Sequence, residues 1–310
     1  MSTEVTRTEA WLMAARPHTL PAAAAPVVVG VGLAIHDEVF AALPALAALV
    51  GAMLIQVGTN FANDYYDAVK GADTDDRTGF TRVTQSGLIE AGTVKTAMYA
   101  TFGLAIALGT YLVSVGGVPI LVVGLLSVAS GIAYTGGPYP LGYHGLGDLF
   151  VFVFFGLVAV TGTYYVQAAA VLPVGPFPTT VPPGTVTTAA LVASLPVAAI
   201  STDILVVNNI RDIETDAAAG KRTLAVVLGY VGSRVEYVGL LALAYLVPVW
   251  FVTQGFGLAV LLPLLTLPYA VVVSRTVLTE TSGEALNPAL SRTGKLLAAF
   301  SLLFAIGLVV

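Results

Sequence analysis

The chain has 310 residues and a formal net charge of −5, with 57% of its residues hydrophobic and only 10% charged. A soluble domain carries about 25% charged residues, so this composition excludes one. Cysteine is absent, which rules out a disulfide framework and a thiolate metal site.

Met1 to Arg16 is polar and has no signal-peptide pattern, so no leader is expected to be removed. Long apolar runs then follow one another: Leu20–Ile35, Val39–Gly58, Val94–Val115, Val118–Ala133, Leu149–Ala170, Ala189–Val207, Tyr237–Val252, Phe256–Val273 and Leu296–Val310. A hydrocarbon core of about 30 Å asks for about 20 apolar residues per helix, so these runs predict about nine spans. They are continuous rather than alternating, which argues against a β-barrel. The expected fold is an all-α integral membrane protein, a single membrane-embedded domain over residues 1–310 built as a bundle of about nine transmembrane helices. Val171–Val186, with five prolines and no charge, reads as a stiff linker between two spans.

The basic residues support the span count independently. Nine spans put Arg7 and Arg16, then Lys70, Arg77, Arg82 and Lys95, then Arg211, Lys221, Arg222 and Arg234, and finally Arg275, Arg292 and Lys295 on one side. That side receives all 13 Lys and Arg, and the other receives none. Lys and Arg gather in cytoplasmic loops, so the basic side, with the N-terminus, is expected in the cytoplasm of a multi-pass cell-membrane protein.

Two acidic clusters close the second and sixth spans on that basic side. The first is Asn60-Phe-Ala-Asn63-Asp64-Tyr-Tyr-Asp67, followed by Asp73, Asp75 and Asp76. At 100° per residue Asn60, Asp64 and Asp67 fall within about 60° of one another on a helix. The second is Asn208-Asn-Ile-Arg211-Asp212-Ile-Glu-Thr-Asp216, in which Asn208, Asp212 and Asp216 share a stripe about 80° wide. Carboxylates stacked on one face repel each other and are costly near lipid, so a counter-charge is required. Carboxylate and amide oxygens suit Mg²⁺, which is commonly shared with substrate phosphates, whereas zinc or copper would want nitrogen or sulfur. His18, His36 and His144 lie too far apart to make a local zinc motif. Arg and Lys follow each stripe and suit the charge a diphosphate has left over. The scattered acids Glu90, Glu236, Glu280 and Glu284 read as solvated. Asp203 points away from Asp212 and is expected to pair with a neighbouring helix.

Asn63-Asp64-Tyr-Tyr-Asp67 resembles the NDxxD motif of the UbiA-type membrane prenyltransferases, and Asp212-Ile-Glu-Thr-Asp216 resembles their DxxxD motif. Arg16-Pro-His-Thr-Leu-Pro-Ala-Ala, Asp73-Thr-Asp-Asp-Arg77, the stretch Tyr134–Asp148 and Gly220-Lys-Arg-Thr-Leu-Ala225 extend the likeness, which looks closest to the branch acting on 1,4-dihydroxy-2-naphthoate. Lys70-Gly-Ala-Asp73 and Phe-Thr-Arg82-Val depart from the pattern of the hydroxybenzoate enzymes. The resemblance implies nine transmembrane helices and Mg²⁺-dependent transfer of a polyprenyl group from an allylic diphosphate to dihydroxynaphthoate. CO₂ would be lost, and the product would be demethylmenaquinone.

It further implies Mg²⁺ on Asp64, Asp67, Asp212 and Asp216, with Asn60, Asn63 and Asn208 beside them. Lys70, Arg77, Arg82, Arg211, Lys221 and Arg222 would take phosphate charge. Tyr134, Tyr139, Tyr143 and His144 could line the aromatic site, and His18 could meet the acceptor's carboxylate. The bilayer side would admit the prenyl tail. No nucleic acid and no obligate protein partner is expected. Another acceptor (4-hydroxybenzoate, homogentisate or an ether-lipid glycerol phosphate) is the nearest alternative. An ion-coupled transporter is the alternative from another class, but its acids would sit near the midplane on broken helices.

Overall fold

A computed structural model describes residues 5–70 and 83–310, without the side chain of Lys70. Asp73, Asp75, Asp76, Arg77 and Arg82 therefore lie outside the described residues, as does any contact of the Lys70 side chain.

Among the described residues, and beside the single turns Pro17–Thr19 and Leu141–Tyr143, ten helical elements run in order: α1 (Arg7–Ala15), α2 (Leu20–His36), α3 (Ala42–Lys70), α4 (Ala91–Ala133), α5 (Gly147–Val171), α6 (Thr188–Arg211), α7 (Ile213–Ala218), α8 (Leu224–Thr253), α9 (Leu258–Thr279) and α10 (Gly283–Val309). The stretch α1–α2 and the seven other long helices are long and apolar enough to cross a membrane. α4, at 43 residues, is two helices joined at Gly117, where φ is 65° and ψ −150°. Each arm is a span, so the described residues contain nine, as the apolar runs predict.

The surface has the inverse of a soluble protein's pattern. Leu43, Leu46, Leu104, Leu125 and Val231 stand exposed, while Asp64, Asp67, Asp203 and Asp212 are buried. The chain is a multi-pass membrane protein. Lipid tails are as apolar as leucine, so helices pack through close backbone approach rather than hydrophobic expulsion. A Cβ at Gly32 of α2 would come within 2.9 Å of the backbone of Ala305, so only glycine lets α10 lie so close. α10 packs on α2 and α6 and closes the bundle, while α3 packs on α4 and α6 on α8.

The side away from the acidic clusters is latched by polar contacts. The Tyr164 hydroxyl donates to Asp37 Oδ2 at 2.6 Å, and the Tyr165 hydroxyl to the Gly116 carbonyl at 2.7 Å. The proline-rich linker also serves here: the Val118 N–H donates to the Pro178 carbonyl at 2.8 Å, against the turn at Gly117.

Three features differ from the sequence reading. The polar N-terminus forms α1, capped by Thr6 and Glu9, with Ala10 and Ala14 buried in the cluster that includes Phe61 and Phe102. Nine residues are too few to be noticed among apolar runs. The seventh span begins at Leu224 rather than Tyr237: an apolar first segment continues across a kink at Gly229, where φ is 66°, and past Arg234 and Glu236 into the long apolar run. Asp203 has no hydrogen-bond partner at either carboxylate oxygen among the described residues, although it is fully buried, and Glu236 is half-buried rather than solvated.

Candidate active site

A cavity of about 650 Å³ opens between α2, α3, α4, α5 and α6. Asn60, Asn63 and Asp67 reach it from α3, Tyr134 and Tyr143 from the segment after α4, and Asn208, Asp212, Asp216 and Lys221 from α6 and beyond. Deeper, its wall is apolar, with Val113, Ile120, Phe154 and Val166 among its residues. The polar residues thus stand at the mouth of a greasy chamber.

The two acidic segments meet through one side chain. The Tyr143 hydroxyl donates to Asp67 Oδ1 at 2.6 Å, and the Tyr143 ring lies 4.9 Å from Lys221 Nζ, which pairs with Asp216 Oδ1 at 3.1 Å. The Arg222 N–H donates to the Tyr143 carbonyl at 2.9 Å, so the loop after α4 and the loop after α7 are held together by backbone as well. Thr135 Oγ1 donates to Asn63 Oδ1 at 2.9 Å and fastens the same loop to α3. Burial, with the charges of Asp148, Asp216 and Asp67 added, holds the Tyr134 phenol above its ordinary range.

The second stripe is not one continuous helix. α6 ends at Arg211; Asp212 after it has φ −100° and ψ 8°, which are not helical, and α7 starts anew at Ile213. The Asp216 N–H still donates to the Asp212 carbonyl at 2.8 Å, which preserves the helical spacing across the break and keeps both acids on the cavity.

Several predicted site residues are engaged elsewhere. Arg211 is buried and turns onto the protein: Nε and Nη2 donate to the two oxygens of Asp212 at 2.7 and 2.6 Å. Its Nη2 also reaches Asn208 Oδ1 at 2.9 Å, and Nη1 reaches Asn287 Oδ1 at 2.7 Å. Arg211 therefore orients Asp212 and Asn208. Asp64 is 1% exposed, accepts from the Thr84 N–H and hydroxyl, and does not line the cavity. Asn60 gives its amide to the Ala15 carbonyl and to Thr19 Oγ1, both at 2.9 Å. Tyr139 is exposed and stacks on His144 at 3.7 Å, outside the cavity, and the Arg222 side chain is exposed.

Sequence reasoning missed Gln56, Thr19, Thr84 and Asn287. Gln56 precedes Asn60 by four residues and could have been found from helical phase; Asn287 sits 76 residues from Arg211 and no local pattern announces it.

Among the described residues no three His, Asp or Glu side chains are grouped closely enough to hold a metal by themselves. Asp67, Asp212 and Asp216 nevertheless form an all-oxygen set around one cavity, which fits a cation that takes its remaining ligands from water and phosphate.

The UbiA prenyltransferase family profile matches residues 23–307. The chain belongs to the UbiA prenyltransferase family. It is 39% identical over 314 residues to the 1,4-dihydroxy-2-naphthoate octaprenyltransferase of Escherichia coli (strain K12), covering 98% of this chain and 96% of that protein. To the protein of the same description from Mycobacterium tuberculosis it is 43% identical over 236 residues, covering 76% of this chain and 75% of the relative. The structure of a UbiA homolog from Archaeoglobus fulgidus bound to GPP and Mg²⁺ superposes with a TM-score of 0.64 at 14% identity, covering 97% of this chain and 99% of that one. At that identity the likeness speaks for the fold, and it agrees with nine spans here.

Proposed function

We propose that this UbiA-family enzyme transfers a polyprenyl group from an allylic polyprenyl diphosphate to 1,4-dihydroxy-2-naphthoate, releasing diphosphate and CO₂. The observation that carries this reading is the meeting of both acidic segments, through Tyr143 and Lys221, at the mouth of an apolar chamber. The naphthoate acceptor is supported by the relatives that are 39% and 43% identical to this chain over the aligned residues.

Asp67, Asp212 and Asp216 would hold Mg²⁺ at the cavity, with Asp64 beside them on α3. The bound cation would neutralise diphosphate charge and favour its departure from the allylic carbon. Lys221 holds its ammonium at the same mouth and adds positive charge where the leaving group collects it. Arg211 fixes the direction of the Asp212 carboxylate and spares it a choice of rotamers. The apolar wall keeps water from the allylic cation after the C–O bond breaks, and its lipid side accommodates the tail. The ring carbon bearing the carboxylate then bonds to the allylic carbon, and the C–CO₂ bond breaks to restore aromaticity. The chain would act as a single domain in the cell membrane, with its acidic mouth and N-terminus cytoplasmic, because Lys and Arg gather on that side.

The test is purified protein with a labelled prenyl diphosphate, Mg²⁺ and 1,4-dihydroxy-2-naphthoate. Prenylated product and CO₂ in equal amounts are expected. A product that keeps its carboxyl group, or a preference for 4-hydroxybenzoate, overturns the reading.

A further inference from the structure

The amide oxygens of three asparagines at the cavity are engaged by the protein. Those of Asn60, Asn63 and Asn208 accept from Gln56 Nε2, Thr135 Oγ1 and Arg211 Nη2 at 3.3, 2.9 and 2.9 Å. Of the buried side-chain oxygens without a hydrogen-bond partner among the described residues, two belong to residues that line the cavity, Gln56 Oε1 and Ser201 Oγ. Native proteins pair nearly all their buried acceptors, so an unpaired one calls for an explanation.

Two backbone carbonyls fix which end of the Gln56 amide is oxygen. Asn60 Nδ2 donates to the Ala15 carbonyl at 2.9 Å, so the other end of that amide is an acceptor and takes Gln56 Nε2. The Thr19 hydroxyl gives its one proton to the Arg16 carbonyl at 2.9 Å. Thr19 Oγ1 can then only accept, from Asn60 Nδ2 at 2.9 Å and Gln56 Nε2 at 3.1 Å. Turning the Gln56 amide over would set oxygen against oxygen at both places. Gln56 is 8% exposed, and the protons of both neighbours are already placed, so neither supplies the donor that Oε1 lacks.

Ser201 stands at a matching depth: Gln56 precedes Asp67, and Ser201 precedes Asp212, by about three helical turns. The two differ in kind. A serine hydroxyl can turn onto a carbonyl of its own helix one turn back, as Thr202 does onto Ala198 at 2.8 Å. A glutamine oxygen has no proton to turn and needs a donor from outside. The Gln56 amide meets that of Asn60, which precedes Asp67 by about 10 Å of helix. Oε1 therefore lies deeper than the acids, across a gap that a substituted bicyclic ring can span. The terminal torsion of glutamine is broad, so Oε1 can swing to a ligand while Nε2 stays on Thr19.

Resting on the naphthoate acceptor proposed above, we infer that Gln56 Oε1 accepts a hydrogen bond from the acceptor's hydroxyl remote from its carboxylate. The hydroxyl beside the carboxylate can bond to it internally, so the remote O–H is the one that needs a protein partner. A site built to bond a hydroxyl discriminates against the analogue lacking it, because the buried group is then left unpaired. Gln56 is thus a specificity-determining residue, which selects the diol over a monohydroxy acid.

1-Hydroxy-2-naphthoate lacks only the remote hydroxyl. Steady-state rates with purified protein, Mg²⁺ and a prenyl diphosphate give the KM of dihydroxynaphthoate and the competitive inhibition constant of this analogue. In the parent protein the KM is expected to lie about tenfold or more below that constant. Gln56→Met keeps the length of the side chain and removes Oε1; the KM should rise to meet the inhibition constant, which itself should not move. Thr19→Val removes the oxygen that holds Nε2 but leaves Oε1, so it controls for a disturbed corner and should keep the gap between the two constants. Equal constants in the parent protein, which need no variant to measure, overturn the inference while the proposed function stands. So does a gap that persists in Gln56→Met, a rise of both constants together there, or a gap that closes in Ser201→Ala instead. Parent protein that does not prenylate dihydroxynaphthoate overturns the proposed function and this inference together.

Discussion

Tyr143 joins the two acidic segments by donating its hydroxyl to Asp67 Oδ1 at 2.6 Å, while its ring lies 4.9 Å from the ammonium of Lys221, the partner of Asp216. Tyr143→Phe keeps the ring and loses only the hydroxyl. Turnover should fall about tenfold, the worth of one charge-assisted hydrogen bond, and the Mg²⁺ concentration for half-maximal rate should rise. Rates measured across a Mg²⁺ titration check this. An unaltered titration would leave Tyr143 a packing residue.

Asp64→Asn and Asp212→Asn should both abolish turnover, yet differ in stability. Asp64 faces Thr84, and an amide oxygen can still accept from it. Asp212 neutralises Arg211, which is only 6% exposed. A buried cation stripped of its partner costs about 3 kcal/mol or more, so Asp212→Asn should melt well below Asp64→Asn in EDTA. Glu280→Gln, exposed on the same face, should remain active and stable. Equal melting temperatures for the two Asp variants would mean that Asn208 and Asn287 suffice for Arg211.

Gly117→Ala should be among the most damaging substitutions outside the site. An added Cβ would collide with the carbonyl oxygen of Pro178, and φ is already +65°. Gly103→Ala in the same helix meets nothing within 4 Å and gains helix propensity, so it serves as the neutral comparison. Thermal unfolding of the two in one detergent separates a local clash from a general intolerance of α4.

Asp203→Leu should raise the melting temperature. Both carboxylate oxygens are buried without a hydrogen-bond partner among the described residues, and relieving that is worth about 1–3 kcal/mol. Activity should be unaffected, because Asp203 lies outside both acidic stripes, on the face of α6 opposite Asp212, and does not line the cavity. Lost turnover in a folded variant would give Asp203 a part in the reaction.

Cysteines placed at the exposed positions Ala219 and Gly175 should react with an impermeant maleimide from opposite sides of the membrane, Ala219 from the cytoplasm. Labelling of both from one side would break the nine-span topology.

Residue order alone determined the class of the fold, because about 20 contiguous apolar residues have no stable home but a membrane-crossing helix. It also marked Asp64, Asp67, Asp212 and Asp216, since acids repeated at helical spacing near lipid need a counter-charge whatever surrounds them. Which of these acids line the cavity was a tertiary matter. Asp64 and Asp67 lie on one face of one helix, yet Asp64 turns to Thr84 and Asp67 to Tyr143, 76 residues away. Arg211 looked like a phosphate ligand beside the motif, but Asn287 arrives from α10 and fixes it on Asp212 instead. Arg16 opens a stretch of family likeness in the sequence, but that Gln56 and Asn60 hold its corner at the chamber depends on how α3 packs. Periodicity reports the face a side chain occupies on its own helix. The partner it meets there depends on how helices distant in sequence pack together, and only the folded bundle determines that.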